Sequence, residues 1–340
     1  MLVLLFIGSG CAALIYEIVW FQLLSLIIGS SAVSLGVLLG TFMGGMCLGS
    51  LFFSRFVSRR QHPLRVYAML ELAVGAFGLL VLWGLPYAGG LYFAIALHGM
   101  ADLLLRGLFC AICLLPPTLL MGATLPAIAR WVETTPEGVA WLGFFYGGNI
   151  AGAVLGCVLA GFYLLRVHDM SFATYAAVGI DIGVALTSLA LARATTYRAA
   201  EADENAPRAS VFLIAPGAWP VYVTTALSGA TALAAEAVWT RLLSLLLGAT
   251  TYTFSLILAA FLVGLGIGSS AGSAISRTLK NPRTALGICQ LLLTASIAWA
   301  AYAMTRQLPY WPISPGLAIK PSYTFEIDLV RCLWAADAPR

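Results

Sequence analysis

Glu17 lies in the middle of the apolar run SGCAALIYEIVWFQLLSL (residues 9–26), and Glu236 in the middle of SGATALAAEAVWTRLLSL (residues 228–245). An acid within a hydrocarbon-like stretch is costly unless something compensates it, at least about 2.5–3.5 kcal/mol at a bilayer centre. Such a residue is therefore a candidate site for a cation or a proton. The same two residues have a second reading, in which each carboxyl is neutral or hydrogen-bonded to a neighbouring helix and fixes packing. Other polar candidates inside apolar runs are Glu71, Asp181, Asn149 and Arg241. Arg241 stands where the first copy has Gln22, near a helix end, from which a long side chain can reach the interface. Cys110 and Cys113 form a CxxC without a second pair, which points to packing and not to a metal.

The elements that must carry these residues follow from composition. The 340 residues are 61% hydrophobic and 9% charged, whereas soluble domains are about 25% charged. Apolar runs of about 20 residues, the length that crosses a bilayer as a helix, recur throughout. They are continuous and rich in Leu, Ala and Gly, without the alternation of a membrane β-barrel. The fold class is thus an all-α polytopic membrane protein. Spans are expected at about 2–28, 32–54, 66–86, 104–130, 139–165 and 172–193, then at 217–247, 251–275 and 284–305. The segment 88–99 is too short to span and is expected at an interface. The N-terminus lacks a basic region before its apolar run, so residues 2–28 read as a first span and not as a removed signal peptide.

Basic residues set the orientation. Arg55, Arg59, Arg60 and Arg65 follow the second span, Arg130 the fourth, Arg193, Arg198 and Arg208 the sixth, and Arg277, Lys280 and Arg283 the eighth. All fall on one side, which the positive-inside rule makes cytoplasmic, together with the N-terminus. The net charge of +4 is therefore a topology signal, and nucleic acid is not an expected partner. The expected location is the bacterial inner (plasma) membrane.

A constant offset of 219 residues superposes 9–50 on 228–269 without a gap. Identities include Ser9/Ser228, Gly10/Gly229, Glu17/Glu236, Trp20/Trp239, Gly29/Gly248, Phe42/Phe261, Gly45/Gly264 and Gly49/Gly268, and the offset pairs Glu71 with Gln290. Coincidence in Glu, Trp and Gly together marks an internal duplication. Parallel six-helix repeats are the plan of major facilitator transporters. The expected organisation is a first six-helix repeat over 1–194 and a polar cytoplasmic linker over 195–215. A partial second repeat of three helices covers 216–306, followed by a non-membrane segment at 307–340. Asp102 and Arg106 have a loose echo in Asp328 and Arg331, after which the second copy stops. Its counterparts of helices four to six are expected from a missing part of the chain or from other membrane subunits.

Gly36, Gly40 and Gly44 are four apart and allow close approach of another helix. Gly264, Gly266 and Gly268 mimic a nucleotide loop but lie mid-helix with no acid until Glu326, so no cofactor is expected. Pro116, Pro117 and Pro126 should bend the fourth helix, as a packed kink or along a cavity. The glycines and arginines after the second span resemble the facilitator loop between helices two and three, without its usual Asp.

The pattern SGxxALxxExVWxxLLSLxxG, present twice, together with LPPTLLMGATLP (115–126) and YGGNIAGAVLGCVLAGF (146–162), resembles the membrane region of spermidine-synthase-like proteins, often described as fused facilitator/spermidine synthases. The resemblance covers about residues 5–305. It implies a membrane module that binds or transports an organic cation such as a polyamine, with Glu17 and Glu236 first and Glu71 and Asp181 behind them. Its alternative is the anchor of an aminopropyltransferase domain that lies outside this chain, and a third is a structural subunit of a larger membrane complex. No strand–glycine-loop–acid unit is visible, so none of the family's catalytic residues transfers to a position here.

Overall fold

A computed structural model describes residues 1–29, 32–56, 61–95, 100–132, 138–195, 219–248, 250–276, 281–311 and 321–336. Every regular element among them is helical: α1 (Leu2–Ile28), α2 (Ala32–Phe56), α3 (Pro63–Ile95), α4 (Met100–Val132), α5 (Gly138–Leu159), α6 (Leu165–Val167), α7 (Met170–Ala194), α8 (Trp219–Leu247), α9 (Thr251–Ser276), α10 (Pro282–Tyr302) and α11 (Pro321–Ala336). A π turn at Ala160–Leu164 joins α5 to α6. Among the described residues nine helices are long and apolar enough to cross a membrane, and their spans follow those expected from hydropathy. The protein is an all-helical integral membrane protein whose solvent is the lipid bilayer.

Local chemistry places several helix starts. Proline opens α3, α10 and α11, where its missing N–H costs nothing. Asp169 caps α7 by accepting a hydrogen bond from the Phe172 backbone N–H at 2.7 Å. One boundary differs from expectation: α3 does not stop before residue 88 but continues through Pro86 to Ile95. The apolar stretch after the proline continues the helix beyond the candidate span, which ends at Gly90. Residues 96–99 lie outside the described set, as do most of the expected linker and the loop residues Arg59, Arg60, Arg198, Arg208 and Lys280.

The chain divides into two compact units, Met1–Leu227 and Ser228–Arg340. The division falls inside α8, later than the expected linker. In the first unit α1 packs against α5 and α7, α2 against α4, and α3 against α4 and α7. Glycines set the closest approaches. A Cβ on Gly10 would strike the Asn149 carbonyl, one on Gly152 the Ile7 carbonyl and one on Gly156 the Cys11 carbonyl, so α1 and α5 meet backbone to backbone. Between α2 and α4, Gly49 faces the Leu119 carbonyl and Gly122 the Met46 carbonyl. The face expected to make this contact is a different one: a Cβ on Gly36, Gly40 or Gly44 would meet nothing within 4 Å. Both stripes have helical spacing; the contact follows the one that also carries the buried Leu38 and Phe42. A core of Leu5, Phe6, Leu64, Tyr67, Ile128 and Phe145 fills one part of this unit, with Phe6 stacked on Phe145 at 5.3 Å between ring centroids.

In the second unit α11 packs against α9 and α10. Helix α9, which carries the residues paired with α2 at the 219-residue offset, packs on α11 as α2 packs on α4. The Asp102–Arg106 echo also holds as geometry: Arg106 pairs with Asp102 at 2.7 Å and Arg331 with Asp328 at 3.5 Å. Burial pushes the Asp328 carboxyl above the ordinary aspartate range against the pull of Arg331. Trp334 anchors α11, donating to Gln307 Oε1 at 2.7 Å beside Trp299 and Trp311.

Among the described residues, positive φ occurs only at Gly29 (82°) and Gly248 (97°), the partners at the 219-residue offset. Both end the first helix of their copy. Gly29, at ψ 162°, occupies a region that residues with a Cβ avoid. Gly29→Ala is expected to cost about 1–3 kcal/mol, read as a lower unfolding midpoint in detergent, whereas Gly36→Ala at an open helical position should not lower it.

Candidate functional site

The buried stripe of α3 runs Leu64, Tyr67, Glu71, Val74, a helical spacing that carries one carboxyl into the core among apolar neighbours. On α7 the buried face is Thr174, Ala177, Asp181, Ala185, Ser188 and Ala192; its small residues let α7 lie close to α3. Glu71 is 2% and Asp181 1% exposed. Packing of α3 on α7 thus brings two acids, 110 positions apart in sequence, close enough to interact directly.

Helix α1 supplies their partners. Ser9 Oγ donates to Glu71 Oε1 at 2.7 Å, and the Tyr16 hydroxyl donates to Asp181 Oδ2 at 2.8 Å. Glycines make room: a Cβ on Gly78 would lie 2.5 Å from the Tyr16 ring, and one on Gly75 3.6 Å from Asp181 Oδ2. A hydrogen bond to a charged group contributes about 1.5–3 kcal/mol, while burying an ion costs several kcal/mol. The hydroxyls of Ser9 and Tyr67 at Glu71 and of Tyr16 at Asp181 do not offset two adjacent negative charges in full. A proton or a bound cation must supply the difference.

The pair faces a cavity of about 380 Å³, within the roughly 300–1,000 Å³ of small-molecule sites. Ser9, Glu71, Thr124, Tyr146, Asn149 and Asp181 form its polar part, and Met43, Met46, Val74, Met121 and Leu125 its apolar part. Cys47 and Ser50 line it as well and are exposed. Among the described residues no Lys, Arg or His lines it. Chemically, this is a chamber with a paired acid on its wall and room for a small organic cation.

Three of the six sequence candidates, Glu71, Asp181 and Asn149, therefore meet at one place. Glu17 is 2% exposed on α1 but is not among the lining residues of this chamber. Glu236 lines a separate pocket of about 40 Å³ with Trp239, Phe261, Met304 and Cys332, room for about one or two waters and not for an organic cation. Arg241 is exposed on α8 and lines neither space. The aromatic surroundings of the two duplicated acids correspond: Trp20 and Phe42 approach to 6.3 Å in the first copy, and their repeat partners Trp239 and Phe261 line the Glu236 pocket. That correspondence fits a packing role for the duplicated acids.

Ser9, Tyr16 and the methionine wall were not among the sequence candidates. One signal pointed to Ser9. The offset that pairs Ser9 with Ser228 also pairs Glu71 with Gln290, and two polar pairs conserved in spacing imply a contact. The second copy makes it: Gln290 Nε2 donates to Ser228 Oγ at 3.3 Å. The hydrogen bond is retained there while the charge is absent. Tyr16 carried no such signal, since its hydroxyl partner is 165 residues away. Among the described residues no group of three or more His, Cys, Asp or Glu side chains could hold a metal ion. Comparison with known proteins finds no family model that matches this chain, no similar curated protein and no similar solved structure.

Proposed function

We propose that the chain is a membrane module that binds, and moves across the bilayer, an organic cation, with Glu71 and Asp181 as its anionic site. The observation that carries this reading is the chamber of about 380 Å³ lined by both buried acids, with no basic residue beside them among the described residues. Within a bilayer such a pair is stable only with positive charge or a proton at hand, and exchanging one for the other is the elementary step of a proton-coupled carrier. A facilitator-like, duplicated architecture is the fold we propose. It is supported by the α2–α4 pairing that recurs as α9–α11 and by the glycine terminating the first helix of each copy. The resemblance to spermidine-synthase-like membrane regions and a cytoplasmic N-terminus belong to the same proposal.

The test is uptake of radiolabelled amines into proteoliposomes containing the full chain, driven by an imposed pH gradient. Glu71→Gln and Asp181→Asn should each lower uptake at least about ten-fold, the scale of one lost charge-assisted contact. Glu236→Gln, which does not alter the chamber lining, should leave it within about two-fold. Equal uptake by the wild type and both chamber variants would remove the carboxyl pair from the mechanism.

A further inference from the structure

The shape of the chamber narrows the class of cation. Its acidic groups form one focus: Glu71 and Asp181 adjoin each other, and no other described lining residue is charged. Away from that focus the wall carries three methionines together with the uncharged polar side chains of Ser50, Thr124, Tyr146 and Asn149. Met43 and Met46 come from α2 and Met121 from α4, while Leu125 continues the α4 face. Thioether side chains are unbranched and polarisable, so they adapt to apolar chains of varied shape.

We infer that this chamber takes a single-headed amphiphilic ammonium, its charged end at Glu71–Asp181 and its apolar chain along Met43, Met46 and Met121. This rests on the organic-cation reading and narrows it away from polyamines. A polyamine held by one nitrogen at the carboxyl pair would extend its second ammonium, three or four methylenes on, along the methionine wall. The neutral carboxamide of Asn149 is the strongest acceptor there, and a dipole does not replace an anion for a charge within the membrane. A chain that ends in methyl groups meets the same wall without that cost and gains about 0.8 kcal/mol per buried methylene.

Cys47 reports occupancy, since it lines the chamber and is exposed. The full chain, with the other exposed cysteine removed by Cys289→Ser, is treated with a maleimide in detergent, and the rate of Cys47 modification is followed against ligand concentration. Hexylammonium should protect Cys47 at a concentration at least about ten-fold lower than spermidine at matched ionic strength. Neutral 1-hexanol should protect far less than hexylammonium, and Glu71→Gln or Asp181→Asn should abolish the difference between them. Stronger protection by spermidine would overturn the single-headed inference while leaving the organic-cation reading intact. Equal protection by hexanol would overturn the assignment of the carboxyl pair as the ammonium site. Protection by none of the amines would overturn the inference and the underlying reading together.

Discussion

Gly152→Leu is expected to abolish the folded first unit. A Cβ at this position would lie 2.7 Å from the Ile7 carbonyl carbon and 2.8 Å from its Cα, closer still to the oxygen. The obstacle is backbone, so no rotamer change relieves it. Gly10 and Gly156 lock the same pair of helices from either side, which prevents α1 from tilting away locally. Separating α1 from α5 would forfeit the packing on which the Ser9 and Tyr16 contacts depend. The loss should exceed about 4 kcal/mol, the range of exceptional single substitutions. Gly147→Leu is the matched control, because a Cβ there would meet nothing within 4 Å. Size-exclusion profiles and melting curves in detergent should show aggregation for Gly152→Leu and near-native behaviour for Gly147→Leu. Similar curves for the two would refute the backbone-to-backbone account of α1 and α5.

The second large effect is a gain. Replacing both chamber acids, Glu71→Gln with Asp181→Asn, should raise the unfolding midpoint while eliminating amine uptake. The neighbouring groups are donors, a serine and a tyrosine hydroxyl, and the carboxamide oxygens of Gln and Asn still accept from them. What disappears is the cost of two juxtaposed buried acids. Neutral replacement of buried ionic groups stabilises proteins by about 1–4 kcal/mol in favourable cases. A carboxyl pair whose role was structural would behave in the opposite way, losing stability on substitution. Differential melting of wild type and double variant in the same detergent separates the two outcomes. Stability given up at a site and recovered by its removal is the mark of a functional group.

Hydropathy and length exposed the nine spans because the bilayer imposes both on a helix before any tertiary contact exists. The end of α3 was less legible: Pro86 reads as a stop in water, where freed carbonyls find solvent, but not in lipid. Spacing alone could not choose between Gly36/Gly40/Gly44 and Gly45/Gly49, since both repeat at helical period. The choice lies in what α4 offers, a carbonyl at Leu119 and the small surface at Gly122. The same limit governs the site. Glu17 and Glu236 stand out in a linear reading because they are duplicated inside conspicuous motifs. Glu71 and Asp181 belong to helices whose pairing is a tertiary fact, and only that pairing turns two isolated acids into one site.

The Ser9–Glu71 bond and its counterpart Ser228–Gln290 differ at a single atom position, a carboxylate oxygen against an amide nitrogen. The polar link between the first and third helices of each copy is therefore indifferent to charge. A duplicated fold built this way can switch a chamber between ionic and neutral by one side-chain atom, without disturbing the contact that holds the helices in register. At this contact the first copy carries an acid and the second an amide, each on the same serine partner.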